Sequence, residues 1–209
     1  LGRQELRALD PHGALLAEQA AAQAIDLLRR RILTVTSQVL YYELAAMGIG
    51  PGAARDSIAT YLRLGGTRAD WLRRLELYPA LAYVVAVVYR NWYDSIAELL
   101  ARLADDRQLL AERLLAGQLP GPVVDLQGDA GDLHNHGRSV VLLTFASGGR
   151  AVYKPKDLRI AAAYMDLVAR LNPGLELPLP TRAIVTRPGY AWEECVAPGA
   201  CTSHAQIER

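Results

Sequence analysis

The feature that most constrains the fold is a change in the spacing of apolar residues near Leu119. Before it, alanine- and leucine-rich stretches place apolar side chains three and four residues apart, the period of an amphipathic helix. After it, apolar residues form short runs separated by glycine turns, which is typical of strands. The sequence therefore predicts an α+β protein. We expect an all-helical region at residues 1–119, then a small antiparallel sheet with one helix at residues 120–209.

Glycine, proline and capping signals divide the first region into helices. "GIGPG" and "GG" interrupt the pattern, Gly117 suits a left-handed helix end, and "PGP" at residues 120–122 cannot continue a helix. Thr67 and Asp70 have the spacing of a capping box. We expect helices at residues 14–33, 37–47, 53–64, 67–71, 80–103 and 106–116.

The second region predicts two hairpins around a helix. Residues 139–145 and 151–154 flank the turn "SGGR", and residues 181–186 and 190–196 flank "RPG". Residues 158–171 lie between these hairpins and predict a helix. A capping-box spacing at Ser203 predicts a further helix, which suggests that the sequence is a fragment.

Composition narrows the function classes. With 23 Lys and Arg interspersed with 22 Asp and Glu, the net charge is +1, so a nucleic-acid partner is not expected. The longest apolar run, residues 80–89, is about half the roughly 20 residues needed to cross a bilayer. It predicts a buried helix segment and no transmembrane anchor. Without a signal-peptide pattern or an initiating Met, we expect a cytoplasmic protein whose start is missing. Cys195 and Cys201 are expected to be reduced thiols, with a single disulfide between them as the alternative.

Lys154 is the first candidate for chemistry. Strand alternation puts Lys154 and Val152 on one face, and Pro155 places the lysine at the end or edge of its strand. In protein kinases an apolar residue at this spacing packs on the nucleotide base, and the lysine neutralises phosphate charge. Asp166 on the next helix is an available partner, although a solvent-facing position is favoured for it. The alternative is a surface lysine that protects an edge strand.

The segment "GDLHNHGR" before the first hairpin is the second candidate. It lacks the G-x-G-x-x-G pattern of a phosphate loop. Asp132 can orient the imidazole of His134, and Arg138 with nearby backbone amides can hold a phosphate. The alternative is a turn with solvated histidines. His12, His136 and His204 have no metal-ligand spacing, so we expect surface residues and no metal site.

"GDLHNHGRSVVLLTFASGGRAVYKPKDL" resembles the G-D-x-H-x-x-G-R-S-V and V-Y-K-P-R-x-L motifs of the dehydratase domain of class II lanthipeptide synthetases, the LanM type. The helical stretch from "YLRLGG" to "DDRQLL" and the later "PGYAWEECV" resemble other parts of that domain, so the resemblance covers most of the chain. Two residues depart from the pattern. Lys156 stands where the family favours arginine, and His136 where it usually has glycine.

The resemblance implies a kinase-like fold that uses ATP and Mg²⁺ to phosphorylate Ser and Thr of a precursor peptide, then eliminates phosphate to give dehydroalanine or dehydrobutyrine. It implies catalytic roles for Asp132, His134, Arg138 and Lys154. Val152, Lys154 and Glu194 would contact the nucleotide, and Mg²⁺ ligands are expected mainly outside these residues. Without a catalytic-loop motif, the fragment alone is expected to be inactive.

Two other functions remain open at this point. One is a non-catalytic helical scaffold that binds peptides. The other is a kinase-like phosphotransferase acting on a small molecule.

Overall fold

Two long helices lie against one face of a five-stranded antiparallel sheet in the computed structural model, which describes residues 2–49, 59, 61 and 66–196. The described helices are α1 (Arg3–Leu9), α2 (Glu18–Ala46), α3 (Arg68–Leu77), α4 (Pro79–Leu114) and α5 (Arg159–Leu171). The strands are β1 (Val123–Gln127), β2 (Val141–Phe145), β3 (Arg150–Lys154), β4 (Ile184–Arg187) and β5 (Tyr190–Glu194). The predicted α+β class is confirmed.

Helix α2 runs without a break where the sequence predicted two helices. The expected interruption fell at a β-branched and polar stretch, but its hydroxyl groups bond within the helix. Thr34 Oγ1 donates to the Arg30 carbonyl at 3.0 Å, and Thr36 Oγ1 donates to the Ile32 carbonyl at 2.9 Å. Such i to i−4 bonds satisfy polar side chains without ending a helix. The prediction of two helices was wrong for this reason.

Helix α4 is also continuous where helices at residues 80–103 and 106–116 were predicted. The sequence pattern predicts a helix that begins at Asp106, but the Asp106 side chain is buried and accepts hydrogen bonds from strands β4 and β5 instead of capping. No glycine or proline lies between the two predicted pieces. The helix therefore continues through them to Leu114.

The sheet has the order β1-β2-β3-β5-β4, and each neighbouring pair is antiparallel. Both predicted hairpins, β2–β3 and β4–β5, are confirmed. Strand β1 was not predicted, and neither was α1. Gly128, just after β1, allows a close approach to α2, because a Cβ atom there would lie 2.5 Å from Leu27 Cδ1.

One apolar core joins the helices to the sheet. Trp92 of α4 is buried and its indole Nε1 donates to the Ala24 carbonyl of α2 at 2.8 Å. Leu143, Tyr153 and Trp192 extend this core from three strands. The switch from helix to strand falls between Leu114 and Val123, next to the predicted boundary, while the core crosses it.

Several local predictions have clear outcomes. The Thr67–Asp70 capping box is present at the start of α3, and Gly117 follows α4 with a positive φ of 84°. The helix predicted at residues 53–64 lies outside the described residues except at 59 and 61, which are helical. The helix predicted at Ser203 lies outside them altogether.

The apolar run at residues 80–89 forms the start of α4 but, apart from the buried Leu81, it is half-buried or exposed and not buried as predicted. Tyr83 is 72% exposed, and Val84 and Val87 are also exposed. Only its inner side contacts the core, through Val88 and Tyr89. In the described part of the chain, none of the helices combines the length and the apolar character needed to cross a bilayer.

Candidate functional site

An open cavity of about 510 Å³ lies where the loop before β2 meets the end of β3. Asp132, His134 and Arg138 line it from the loop, and Lys154 lines it from the last position of the strand. These are the four residues to which the sequence assigned catalytic roles. The fold therefore brings together two stretches that lie 16 or more residues apart in the sequence.

The loop that carries His134 closes tightly on itself. His134 N donates to the Arg138 carbonyl, and Arg138 N donates to the His134 carbonyl, both at 2.8 Å. Between them, Asn135, His136 and Gly137 all have positive φ angles, of 40°, 64° and 79°. Residues with a side chain adopt this region at a cost of about 1–3 kcal/mol. The resemblance places a glycine at the position of His136, where φ is positive.

Asp132 and His134 are exposed on the cavity wall. Within the described residues, no hydrogen bond joins the Asp132 carboxylate to the His134 imidazole. The expectation that Asp132 orients this imidazole is therefore not met in the structure. Both side chains remain free to contact a molecule in the cavity.

A glutamate of helix α4 fixes the Arg138 side chain. Its Nε donates to Glu98 Oε2 at 2.6 Å, and its Nη1 donates to the Asn135 carbonyl at 2.7 Å. The hydrogen bond to Glu98 raises the pKa of Arg138 above its ordinary value. Glu98 also forms an ion pair with Arg102. The guanidinium group has five N–H donors, so this anchorage leaves donors for a ligand.

Lys154 pairs with a residue of the neighbouring strand. In the register of β3 and β5, Val152 lies opposite Glu193 and Lys154 opposite Ala191, so Glu193 and Lys154 share a face of the sheet. The distance from Lys154 Nζ to Glu193 Oε2 is 2.6 Å. Asp166 on α5 is exposed, as the sequence favoured, and makes no ion pair within the described residues. The lysine is therefore held by a strand carboxylate.

Glu193 is a buried carboxylate with incomplete hydrogen bonding. Its side chain is 5% exposed, compared with 23% for that of Lys154. Arg182 Nε lies 3.4 Å from the same oxygen, Oε2. The other oxygen, Oε1, is buried without a hydrogen-bond partner. A charge buried in this way is costly, so the two nearby cations are needed to retain it.

The two remaining nucleotide-contact candidates occupy different places. Val152 is half-buried on the face that carries Lys154, as strand alternation predicted. Glu194 lies opposite Ala151, on the other face, where it is exposed and its Oε2 accepts a hydrogen bond from Ala183 N at 3.1 Å. The structure does not bring the Glu194 side chain to Lys154, and Glu193 takes that position.

The charge of the cavity favours an anionic ligand. Its lining includes the cations Arg138, Lys154 and Lys156 but a single carboxylate, Asp132. Arginine and lysine in a partly enclosed site are the usual partners of phosphate groups. Across the described residues, no three metal-ligating side chains come together.

His12, His136 and Cys195 are not among the described residues that line this cavity. His12 and His136 are exposed, and Cys195 is a free thiol. Cys201 and His204 lie outside the described residues.

Sequence reasoning missed Glu98 and Glu193. A signal existed for Glu193, because Trp192 is a core residue and strand alternation then turns Glu193 to the opposite face. Its distance from Lys154 depends on the β3–β5 pairing, which joins residues about 40 positions apart. No local pattern indicated that Glu98, within the long helix α4, reaches Arg138.

Comparison with known proteins gives one family match. Residues 78–209, well over half of the chain, match the model of a family described as "Domain of unknown function (DUF4135)". The match starts at the beginning of α4 and includes the loop, the sheet and α5. A search of curated proteins found no match.

Proposed function

Because the chain belongs to the DUF4135 family, which is associated with lanthipeptide synthetase-like proteins, we propose that it is part of a lanthipeptide synthetase dehydratase. Such a protein phosphorylates Ser and Thr of a precursor peptide with ATP and then eliminates the phosphate. The observation that carries the proposal is the convergence of Asp132, His134, Arg138 and Lys154 on one cavity. The proposed location is cytoplasmic.

The first step needs an electrostatic hold on the ATP phosphates. Lys154 ends β3 with its ammonium group at the cavity, and an ammonium has three N–H donors, of which Glu193 needs one. The others are available to phosphate oxygens. As the γ-phosphoryl group moves to the peptide hydroxyl, the hydroxyl gives its proton to a base, the bond to the β-phosphate breaks and ADP leaves. A fixed cation stabilises the charge on the transferring group.

The second step removes the phosphate that was added. A base takes the proton from Cα of the phosphorylated residue, the Cβ–O bond breaks, and inorganic phosphate leaves with the bonding electrons. His134 is exposed in the cavity and has a side chain suited to proton transfer near neutral pH. Arg138, held by Glu98, is suited to bind the departing phosphate.

Mg²⁺ would supply further neutralisation of the phosphates during transfer. The described residues do not provide a set of ligands for it, since Asp132 is the single carboxylate of the cavity lining. No step is therefore assigned to a metal here. Glu98 and Glu193 do not line the cavity, and each forms an ion pair with a residue that does, Arg138 and Lys154 respectively.

The experiment uses the intact protein that contains this chain, incubated with ATP, Mg²⁺ and its precursor peptide. Mass spectrometry should show peptides that gain phosphate and then lose it by elimination, which leaves them one water lighter than the starting peptide. Lys154→Met should lower the rate of phosphorylation by about 100-fold or more, because the variant lacks the preorganised cation. Arg170→Met, which changes an exposed cation on α5, is the matched control and should keep the rate.

Other outcomes would identify the rival functions. Peptide binding without any phosphate transfer would favour a helical scaffold that binds peptides. ATP turnover without peptide, stimulated by a small hydroxylated compound, would favour a small-molecule phosphotransferase. Equal dehydration by the wild type and Lys154→Met would contradict the proposed role of the lysine.

A further inference from the structure

We propose that Glu193 is the positioning residue for Lys154, so that this chain fixes its strand lysine from within the sheet and not from a helix. The inference rests on the proposed nucleotide site. It adds a residue that the sequence motifs did not identify. It also predicts that the position of Lys154 depends on strand β5 and not on helix α5.

The first support is geometric. Strands β3 and β5 are adjacent, and four consecutive residue pairs fix their register. This pairing places Glu193 and Lys154 on one face, with 2.6 Å between Oε2 and Nζ. Side chains on adjacent strands are held by backbone hydrogen bonds, so their relative position varies little. Glu193 therefore restrains the direction of the ammonium group.

The second support is energetic. The Glu193 side chain is 5% exposed, and its Oε1 is buried without a partner. A buried ion pair is often no more stable than apolar residues of similar volume, and an unpartnered oxygen increases its cost. Fold stability is thus a poor reason for a glutamate at this position. Its contact with the cavity-lining Lys154 gives a functional reason.

The third support is the position of α5. In protein kinases the strand lysine pairs with a glutamate on a helix, and the helix must be in place for activity. On α5, Asp166 is exposed and makes no ion pair among the described residues. The position of Lys154 should therefore not depend on a carboxylate of this helix.

The test exploits the lysine content of the chain, which has lysine only at positions 154 and 156. Lysine labelled with ¹³C at the ε carbon gives two side-chain NMR signals, and Lys156 serves as the reference. Glu193→Gln should shift the Lys154 signal and leave that of Lys156 in place. The matched variant Asp166→Asn should shift neither signal.

ATP binding, measured with the intact protein that contains this chain and with the same variants, connects the pair to function. Glu193→Gln should weaken ATP binding by about tenfold, Glu193→Asp should recover part of the loss, and Asp166→Asn should retain wild-type affinity. In the peptide assay the glutamine variant should raise KM for ATP more than it lowers kcat. If Glu193→Gln does not fold, Glu193→Asp tests the same point with a shorter carboxylate.

The outcomes separate the two proposals. An unmoved Lys154 signal, or ATP affinity unchanged by Glu193→Gln in a wild type that binds ATP, would overturn this inference and leave the proposed function standing. An equal loss in Asp166→Asn would also overturn it. A wild-type intact protein that does not bind ATP would overturn both.

Discussion

Two buried carboxylates on either side of the sheet differ in how fully they are hydrogen-bonded. Asp106 of α4 is 1% exposed, and both of its oxygens are occupied. Oδ1 accepts from Arg187 Nε at 2.9 Å, while Oδ2 accepts from Tyr190 Oη at 2.8 Å and Trp192 Nε1 at 2.9 Å. Glu193 is buried to a similar degree but keeps Oε1 without a partner.

Under our proposal, the difference separates a structural charge from a functional one. Asp106 ties α4 to β4 and β5, and nothing near it lines the candidate cavity. Glu193 instead engages Lys154, which does line the cavity. A buried carboxylate whose oxygens all accept hydrogen bonds helps to fix a single stable arrangement of its neighbours. A buried carboxylate with an unpartnered oxygen costs free energy of folding. Variants at these two sites should therefore affect different properties.

The largest effect on stability is expected from Asp106→Ala. The substitution leaves the donors of Arg187, Tyr190 and Trp192 without their acceptor, two of them in the core region. Removing one partner of a buried charged network costs about 3–5 kcal/mol. Urea denaturation should show this loss in the free energy of unfolding.

The effect of Glu193→Gln on the free energy of unfolding is to be compared with that of Asp106→Ala. The glutamine variant should change the free energy of unfolding by about 1 kcal/mol or less, because a buried ion pair adds little net stability and Lys154 can turn its ammonium group to the solvent of the open cavity. Equal losses in the two variants would remove the distinction between the carboxylates.

An effect smaller than that of Asp106→Ala, but larger than that of Glu193→Gln, is expected from Tyr190→Phe, which removes one donor to Asp106. A hydrogen bond to a charged group is worth about 1.5–3 kcal/mol. Burial and the bond to Asp106 raise the pKa of Tyr190 to about 12, from about 10 in an unfolded chain. The folded state then holds this proton more tightly, so its contribution to stability is complete below pH 10 and is lost as the pH rises to about 12.

Denaturation curves between pH 9 and pH 12 check this prediction. The wild type should lose stability with rising pH, and Tyr190→Phe should lose less over the same interval. Tyr89, whose pKa is also raised to about 12 by its bond to Glu5, remains in both proteins and accounts for the shared slope. Parallel curves would show that Tyr190 does not titrate in this way.

A small stabilising effect is expected from His136→Gly in the cavity loop. The positive φ of 64° suits glycine, so the variant should gain about 1 kcal/mol in the free energy of unfolding. His136→Ala serves as the control because it removes the imidazole but keeps a Cβ atom, and it should show no gain. A gain of the same size in alanine would point to the imidazole and not to the backbone.

The sequence predicted those parts of the fold that depend on local patterns. The hairpin turns, the Thr67 cap and the helix end at Gly117 follow from residues close in the chain. The continuity of α2 and α4 did not, because it depends on how Thr34, Thr36 and Asp106 are satisfied in three dimensions. A polar residue in a helical sequence pattern can mark the end of the helix, or it can form a hydrogen bond while the helix continues.

The candidate site, like the fold, was predictable only where it depends on residues close together in the sequence. Asp132, His134, Arg138 and Lys154 lie in two motifs with recognisable spacing, and they line one cavity. Glu98 and Glu193 support that site through long-range contacts, which no spacing along the chain reveals. The neighbouring Glu194 was chosen from its motif, but the strand register turns it to the other face.

The most direct test of the central claim is whether Lys154 lies beside the phosphates of bound ATP. An ATP derivative with an acyl phosphate transfers its acyl group to a lysine amine near the phosphates, and peptide mass spectrometry then distinguishes positions 154 and 156. We expect acylation mainly at Lys154, with loss of labelling when unmodified ATP is in excess. Acylation confined to Lys156, or labelling of Lys154 that ATP does not reduce, would contradict the account.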